Sequence, residues 1–205
     1  MPKYLITGGN GMLAYAIKNL PFFSDHCAYD VEDFNICDPD QMRSVLERDK
    51  PEYLINCAAY TDVTKAESEY EKACMINAIG AKNLAELSLE YHYKLVHIST
   101  DFVFPGDQNV EKFEHDETQP VNAYGKSKLE GEIWVSSIAK NSLILRISWL
   151  YGPNGRNFVS IISQLIKTKE ELNIVADQYG KTTYTVDVAN TLALLIEKQA
   201  VGIYH

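Results

Sequence analysis

No basic run and no long apolar run occurs anywhere in the 205 residues. Acidic residues outnumber basic ones 28 to 19, for a formal charge of -9, so neither nucleic acid nor an anionic membrane is an expected partner. The roughly 18 consecutive apolar residues of a membrane-spanning helix are missing. The start, "MPKYLITGGNG", carries neither the apolar core nor the cleavage site of a signal peptide. Cysteine is scarce: Cys27, Cys37, Cys57 and Cys74 form no C-x-x-C pair and have no histidine-rich stretch beside them. That pattern points to free thiols in a reducing cytoplasm and away from disulfides or a metal site. Internal repeats and low-complexity linkers are also absent. What remains is one domain over 1–205, with 46% hydrophobic and 23% charged residues, enough for a substantial core.

Short apolar runs alternate with longer amphipathic ones, the pattern of a parallel sheet covered by helices on both faces. Strands are expected at Tyr4–Thr7, Cys27–Tyr29, Tyr53–Cys57, Leu95–Ser99, Leu143–Ile147 and Leu172–Val175. Helices are expected at Met12–Leu20, Pro39–Arg48, Tyr70–Glu90, Tyr124–Ala139, Phe158–Lys167 and Val186–Lys198. The fold class is therefore α/β, a Rossmann-like doubly wound parallel sheet. The one long loop is 106–120, and the final "GIYH" begins a strand that stops short.

"LITGGNGMLA" places Gly8, Gly11 and Ala14 between the first strand and the first helix. Glycine there permits a tight turn and close approach to a pyrophosphate, whose charge rests on the helix N-terminus. The spacing is G-x-x-G-x-x-[GA], not the usual G-x-G-x-x-G. Its position on the first strand of an alternating chain is what points to a dinucleotide. Asp30 ends the second strand 22 residues after Gly8, the place of a carboxylate on the adenosine ribose. With no arginine beside it, NADH is favoured slightly over NADPH.

"VHISTDFVF" reads as a strand ending in Ser99 and Thr100, at the sheet edge where open α/β folds bind ligands. In "NAYGKSKLEGE", Tyr124 and Lys128 share one face of a helix at i, i+4. Alone that pair fits any surface helix. Together with Thr100 and a glycine loop it suits ketone reduction, which needs a hydride and a proton. A free tyrosine titrates near about 10, and a nearby Lys128 cation is expected to lower it. Thr100 can hydrogen-bond the carbonyl oxygen as charge grows there.

A hydroxyl–Tyr-x-x-x-Lys set behind a glycine loop resembles the short-chain dehydrogenase/reductase superfamily, in its extended, nucleotide-sugar-modifying branch. "NCAAYTDVTKAES", "VHISTDFVFPG", "PVNAYGKSKLEGE", "LILRISWLYG", "NFVSIISQL" and "DQYGKTTY" narrow it to a close resemblance to the dTDP-4-dehydrorhamnose reductase family, from residue 3 to 205. The resemblance implies NADH- or NADPH-dependent reduction of the C4 ketone of dTDP-4-dehydro-L-rhamnose, a nucleotide-sugar, to dTDP-L-rhamnose. It implies Tyr124 as general acid, Lys128 as its tuner and a ribose ligand, and Thr100 as the carbonyl-binding hydroxyl. Gly11, Met12 and Leu13 would cradle the pyrophosphate with Gly8, and Asp30 would hold the ribose. Asn35 and Ile36 would border adenine, while Ala58, Ala59 and Tyr60 would line the nicotinamide side. Thr61, Val63, Asp101, Phe102 and Trp149 would face the sugar or its nucleotide. Asn77 matches a helix asparagine that wires the lysine to water. A capping or solvated asparagine is the competing reading there.

The chain departs from the family at four points. Phe102 stands where tyrosine is usual, removing a hydroxyl near the sugar. Ala16 stands where some members carry a Mg²⁺-binding glutamate, so of the assemblies open to it a homodimer bridged by that metal is disfavoured. Thr182 replaces a proline. Family members also continue past "YH", so the C-terminal substrate-binding portion is expected to be missing or truncated, leaving an NAD(P)-binding domain with part of the substrate region. Two other functions stay open: a non-catalytic nucleotide-binding regulatory subunit of this fold, as for the methionine adenosyltransferase regulatory protein, and a nucleotide-sugar epimerase or dehydratase. The regulatory subunit would have no need of Thr100, Tyr124 and Lys128 together.

Overall fold

A computed structural model describes residues 1–106, 110–155, 157–174 and 180–205. Six parallel strands form the central sheet: β1 (Tyr4–Thr7), β2 (His26–Tyr29), β3 (Tyr53–Asn56), β4 (Lys94–Thr100), β5 (Leu143–Ile147) and, at the far edge, β8 (Gly202–Tyr204). Their order is β2-β1-β3-β4-β5-β8. The winding reverses between β1 and β3, so the crevice at the carboxyl ends of those strands is the ligand position that the topology provides.

The strands are predominantly apolar because both faces are covered. Tyr4, Ile6, Tyr53, Ile55, Val96, Ile98, Leu143 and Leu145 pack under α1 (Met12–Lys18) and α8 (Thr185–Glu197). Leu5, Leu54, Leu95 and Ile144 pack under α2 (Pro39–Asp49), α5 (Gly80–Tyr91) and α6 (Ala123–Ile138). The start of α2 follows from its sequence: the Asp38 carboxylate caps the N–H groups of Asp40 and Gln41, and Pro39 takes the first turn, where its missing donor costs nothing.

Several expected elements differ. The helix expected over Tyr70–Glu90 is interrupted: α4 (Tyr70–Cys74) passes into a π-helical turn, Met75–Ile79, before α5 begins. A short α3 (Val63–Ala66) precedes it. The expected strand Leu172–Val175 does not form over 172–174, where Asn173 and Ile174 are exposed and Leu172 is only partly buried, so the segment has no covered face to pair on; Val175 lies outside the described residues. Instead β6 (Leu150–Tyr151) and β7 (Thr183–Tyr184) pair with each other, and α7 (Phe158–Leu165) lies between them in the chain. The brief terminal strand does form: β8 pairs with β5 through Leu143↔Gly202 to Leu145↔Tyr204. Of the loop 106–120, residues 107–109 lie outside the described set. Among the described residues no helix is long and apolar enough to cross a membrane.

Helix α6 seats against the π turn, and Gly131 is what lets it: a Cβ there would run into the Asn77 carbonyl oxygen. Helix propensity alone would make Gly131→Ala stabilising by about 1 kcal/mol. Overpacking costs typically about 1–3 kcal/mol. The expected net result is a lower Tm on thermal denaturation; a Tm equal to or above that of the parent protein would show that α6 can move away freely.

Candidate active site

The site is built outward from the glycine loop. Gly8 adopts φ +63°, and a Cβ on it would meet the Ala58 backbone at 2.9 Å, so both the turn and the approach to the end of β3 require glycine. Gly11 is the N-cap of α1 and has no side-chain cap, which leaves the first turn's N–H groups for a ligand. Met12 is partly buried, while the Leu13 side chain belongs to the core, so Leu13 can serve a pyrophosphate only through its backbone. Asp30 lies at the end of β2, where its carboxylate accepts the N–H groups of Asn10 (3.0 Å) and Val31 (2.9 Å). It is thereby fixed beside the glycine loop. Asn35 uses its side-chain oxygen on the Cys37 N–H, and Ile36 is buried under Gly80. Of that pair only Asn35 is partly exposed. These residues fit a dinucleotide.

Three strands along, Thr100 is the last residue of β4 and is 4% exposed. Its hydroxyl accepts the Phe102 N–H at 3.2 Å and donates to the Asp101 carboxylate at 3.2 Å. Tyr124 enters from the first turn of α6, whose N-terminus is held by the Asn122 side chain on the Gly125 N–H (2.7 Å) and by the Glu67 carboxylate on the Ala123 N–H (2.8 Å). The Phe102 ring meets Tyr124 edge to face, with centroids 5.6 Å apart. Burial pushes the Tyr124 phenol up to about 12; the Thr100 hydroxyl acts in the opposite sense, and the Asp101 charge adds to the rise. The expected lowering by Lys128 is therefore replaced by a rise. The phenol's electrostatic neighbours are Thr100 and Asp101, and desolvation outweighs the hydrogen bond.

Lys128 lies one turn along the same helix and is 2% exposed. Its ammonium donates to the Ile98 carbonyl of β4 at 2.6 Å. Burial pulls it down from the ordinary lysine value to about 8, with Glu132 and Cys57 opposing. A polar row crosses the sheet next to it. The Ala58 N–H donates to Thr7 Oγ1 (3.2 Å), Thr7 donates to Asn56 Oδ1 (2.7 Å), and Asn56 Nδ2 lies 3.1 Å from His97 Nδ1. Burial and the Lys128 charge hold His97 well below its usual titration range, hence neutral.

Ala58, Ala59 and Tyr60, expected on the nicotinamide side, follow β3 and are partly buried. Asn77, in the π turn, holds them in place. Its side chain accepts the Tyr60 N–H (2.8 Å) and donates to the Tyr60 carbonyl (3.0 Å) and to Ser127 Oγ (3.0 Å). Ser127 in turn donates to the Tyr124 carbonyl at 2.8 Å. Asn77 thus clamps the end of β3 to α6, a task the sequence did not disclose, and π turns recur at functional sites for such re-aiming. Thr61 is exposed and Val63 opens α3 behind the Asp62 N-cap. Trp149 is partly buried just past β5, in the left-handed region at φ +41°. Glu132 and Arg146 are two buried charges that sequence reasoning passed over; the available signal was Glu132 at i+4 from Lys128 on the face already singled out.

Glycine turn, carboxylate, hydroxyl, phenol and ammonium all lie along one sheet edge, and known proteins with this chain's sequence and shape can be set beside that arrangement. The family model described as RmlD substrate binding domain matches residues 2–205. A dTDP-4-dehydrorhamnose reductase of Aggregatibacter actinomycetemcomitans is 37% identical over 100% of this chain and 73% of its own length. A dTDP-4-keto-6-deoxy-D-glucose reductase of Streptomyces niveus is 35% identical over 99% of this chain and 72% of its own. The crystal structure of a Bacillus anthracis dTDP-4-dehydrorhamnose reductase in complex with NADP superposes with a TM-score of 0.96 at 40% identity, covering 100% of this chain and 74% of that one. The match extends over the whole of the site just described, and the chain belongs to the RmlD substrate binding domain family.

Proposed function

We propose that the chain is an NAD(P)H-dependent reductase of a dTDP-4-dehydro-6-deoxy sugar, with dTDP-4-dehydro-L-rhamnose the substrate and dTDP-L-rhamnose the product. The observation that carries this reading is the meeting of Thr100, Asp101 and Tyr124 at the carboxyl edge of the sheet, with Lys128 one turn behind the phenol. The relatives' names supply the sugar and the NADP complex supports use of NADPH alongside NADH.

When bound, the reduced nicotinamide supplies a hydride to the ketone carbon. Thr100 turns its hydroxyl from Asp101 to the ketone oxygen and holds it as negative charge accumulates. Tyr124, protonated at neutral pH because burial keeps its pKa high, then delivers the proton. An alkoxide is far more basic than this phenol, so the transfer runs downhill. Lys128 keeps N–H donors beyond the one spent on Ile98 for the ribose of the dinucleotide. Gly8, Gly11, Met12 and the Leu13 backbone take the pyrophosphate, Asp30 and Asn35 the adenosine end, and Ala58 to Tyr60 the nicotinamide side. Thr61, Val63, Phe102 and Trp149 flank the sugar nucleotide. The reaction is assigned to the cytoplasm. A homodimer, where one forms, would not be bridged by Mg²⁺ at position 16, because Ala16 is 6% exposed within the core.

Purified protein is expected to oxidise NADH or NADPH when given dTDP-4-dehydro-L-rhamnose, followed by the loss of absorbance of the reduced nicotinamide. No consumption with either cofactor would end this reading, and parallel trials with dTDP-4-keto-6-deoxy-D-glucose and a UDP analogue assign sugar and base. Tyr124→Phe is expected to lose about 10²–10⁴-fold in turnover while retaining cofactor affinity by fluorescence titration. The pH profile of kcat/KM, which reports groups of the free enzyme, should fall as pH rises through about 8, where Lys128 gives up its proton. Replacing that lysine should separate stability from activity. A lysine whose pKa is depressed on folding costs stability wherever it is charged in the folded state. The cost is complete below the folded value and gone above the unfolded one. Lys128→Met is therefore expected to gain stability relative to the parent protein at pH 7 by removing that charge, offset by the about 1–3 kcal/mol of leaving the Ile98 carbonyl without its donor, with the relative gain vanishing by strongly alkaline pH, while ketone reduction is lost. A Tm difference between variant and parent that stays the same from pH 7 to strongly alkaline pH would contradict this.

A further inference from the structure

Tyr124, Lys128 and Glu132 occupy i, i+4 and i+8 of α6, one continuous stripe facing β4 and β5. Glu132 is buried, with 3% of its side chain exposed, and Arg146 of β5 grips it through Nε at 2.9 and 3.2 Å and Nη2 at 2.7 Å. Arg146 is the cross-strand partner of Ser99, the residue before Thr100. Its guanidinium also lies 5.1 Å from the centre of the Phe104 ring. The ion pair therefore ties the helix bearing the phenol and the ammonium to the strands bearing the hydroxyl. A buried ion pair contributes little or no net stability compared with an apolar replacement, so stability alone gives this pair no reason to be here.

The surroundings of Lys128 supply a reason. From β3 it is faced by Cys57, whose thiol burial pushes up to about 12, and from β4 by His97, held neutral. On its own helix it has the protonated Tyr124 and Glu132, and β5 adds Arg146 behind Glu132. Cys57, His97 and Tyr124 are thus all uncharged near neutral pH, and the carboxylate buried one helical turn from the ammonium, on the same face of α6, is that of Glu132.

We propose that Glu132, held in place by Arg146, is a positioning residue that acts as the counter-charge of Lys128, keeping it protonated under the cofactor ribose. In catalytic terms this rests on the reductase reading; the charge relation itself does not. Glu132 touches neither cofactor nor reacting atoms and works through Lys128. Without Glu132 the ammonium would face desolvation with no opposing carboxylate, and would release its proton at a lower pH than in the parent protein.

The test reads Lys128 itself. The full chain is labelled with [ε-¹³C]lysine, the Lys128 resonance is identified by its disappearance in Lys128→Arg, and its shift is followed against pH without cofactor or substrate. In the parent protein the midpoint is expected near about 8. In Glu132→Gln it should fall by roughly one unit or more, and Glu132→Asp, which keeps the charge, should bring it back toward the parent value. The double variant Glu132→Gln/Arg146→Gln leaves no unpaired guanidinium, serves if the single variant does not fold, and should show a smaller fall. A Lys128 midpoint in Glu132→Gln, or in the double variant, equal to that of the parent would overturn the proposal and leave the pair a purely structural tie. Since no turnover is measured, absence of ketone reduction would count against the reductase reading alone.

Discussion

Taking the Lys128 ammonium out of water costs several kcal/mol, and the arrangement around it is organised to bear that cost. The Ile98 carbonyl accepts one of its N–H groups, the end of β4 supplies the wall it lies against, and α6 must approach the sheet closely for the side chain to reach in at all. That approach needs the missing side chain of Gly131 against the Asn77 carbonyl, and the bulge of the π turn that presents that carbonyl. The local backbone irregularity, the helix packing and the buried charge are thus a single constraint viewed at three scales.

The same constraint reaches the cofactor side. Asn77 accepts and donates to the backbone of Tyr60, fixing the chain just after β3, and through Ser127 it meets the carbonyl of Tyr124. The Thr7–Asn56–His97 row starts from the Ala58 N–H, so the segment after β3 is held from below as well as from the side. Backbone groups that would otherwise be buried without partners are paired by side chains from three different elements. The segment after β3 is thereby pinned from three elements, and a fixed frame of that kind is what the proposed reduction would need for the Tyr124 phenol and the Thr100 hydroxyl to address a single carbonyl oxygen.

Much of this was legible in the sequence, for physical reasons that are uneven. Strands buried on both faces have to be largely apolar, so "YLIT", "YLIN" and "LILRI" announced themselves, and a glycine that must take φ +63° left its trace at Gly8. Tyr124 and Lys128 could be picked out by their helical spacing once a glycine loop and a strand ending in Thr100 stood before them. Other features left no such trace. A π turn depends on one extra residue accommodated by tertiary packing, so "YEKACMINAIG" reads as unbroken helix. Glu132 reads as an ordinary solvated acid four residues from a lysine, because nothing local reveals that Arg146, fourteen residues on, will be its partner. The sign of the Tyr124 shift was misread for a related reason: spacing says that Lys128 shares its face, but not that the ammonium is drawn to the Ile98 carbonyl while Asp101 sits nearer in effect.

Trp149 extends the argument to the mouth of the crevice. A bulky residue at φ +41° carries strain of order 1–3 kcal/mol, and the fold holds it there by two contacts. Its carbonyl accepts the Thr183 N–H at 3.2 Å, starting the β6–β7 pairing, and its indole lies against Gly180, where any side chain would collide with it. Trp149 stands two residues past Ile147, the last of β5, and Ile147 pairs with Thr100, so the strained residue stands at the same carboxyl edge as the hydroxyl. A desolvated cation and a strained tryptophan within two neighbouring strands of each other are both unfavourable for folding. Their coincidence at one edge is what the proposed reduction would account for, since packing alone compensates neither cost.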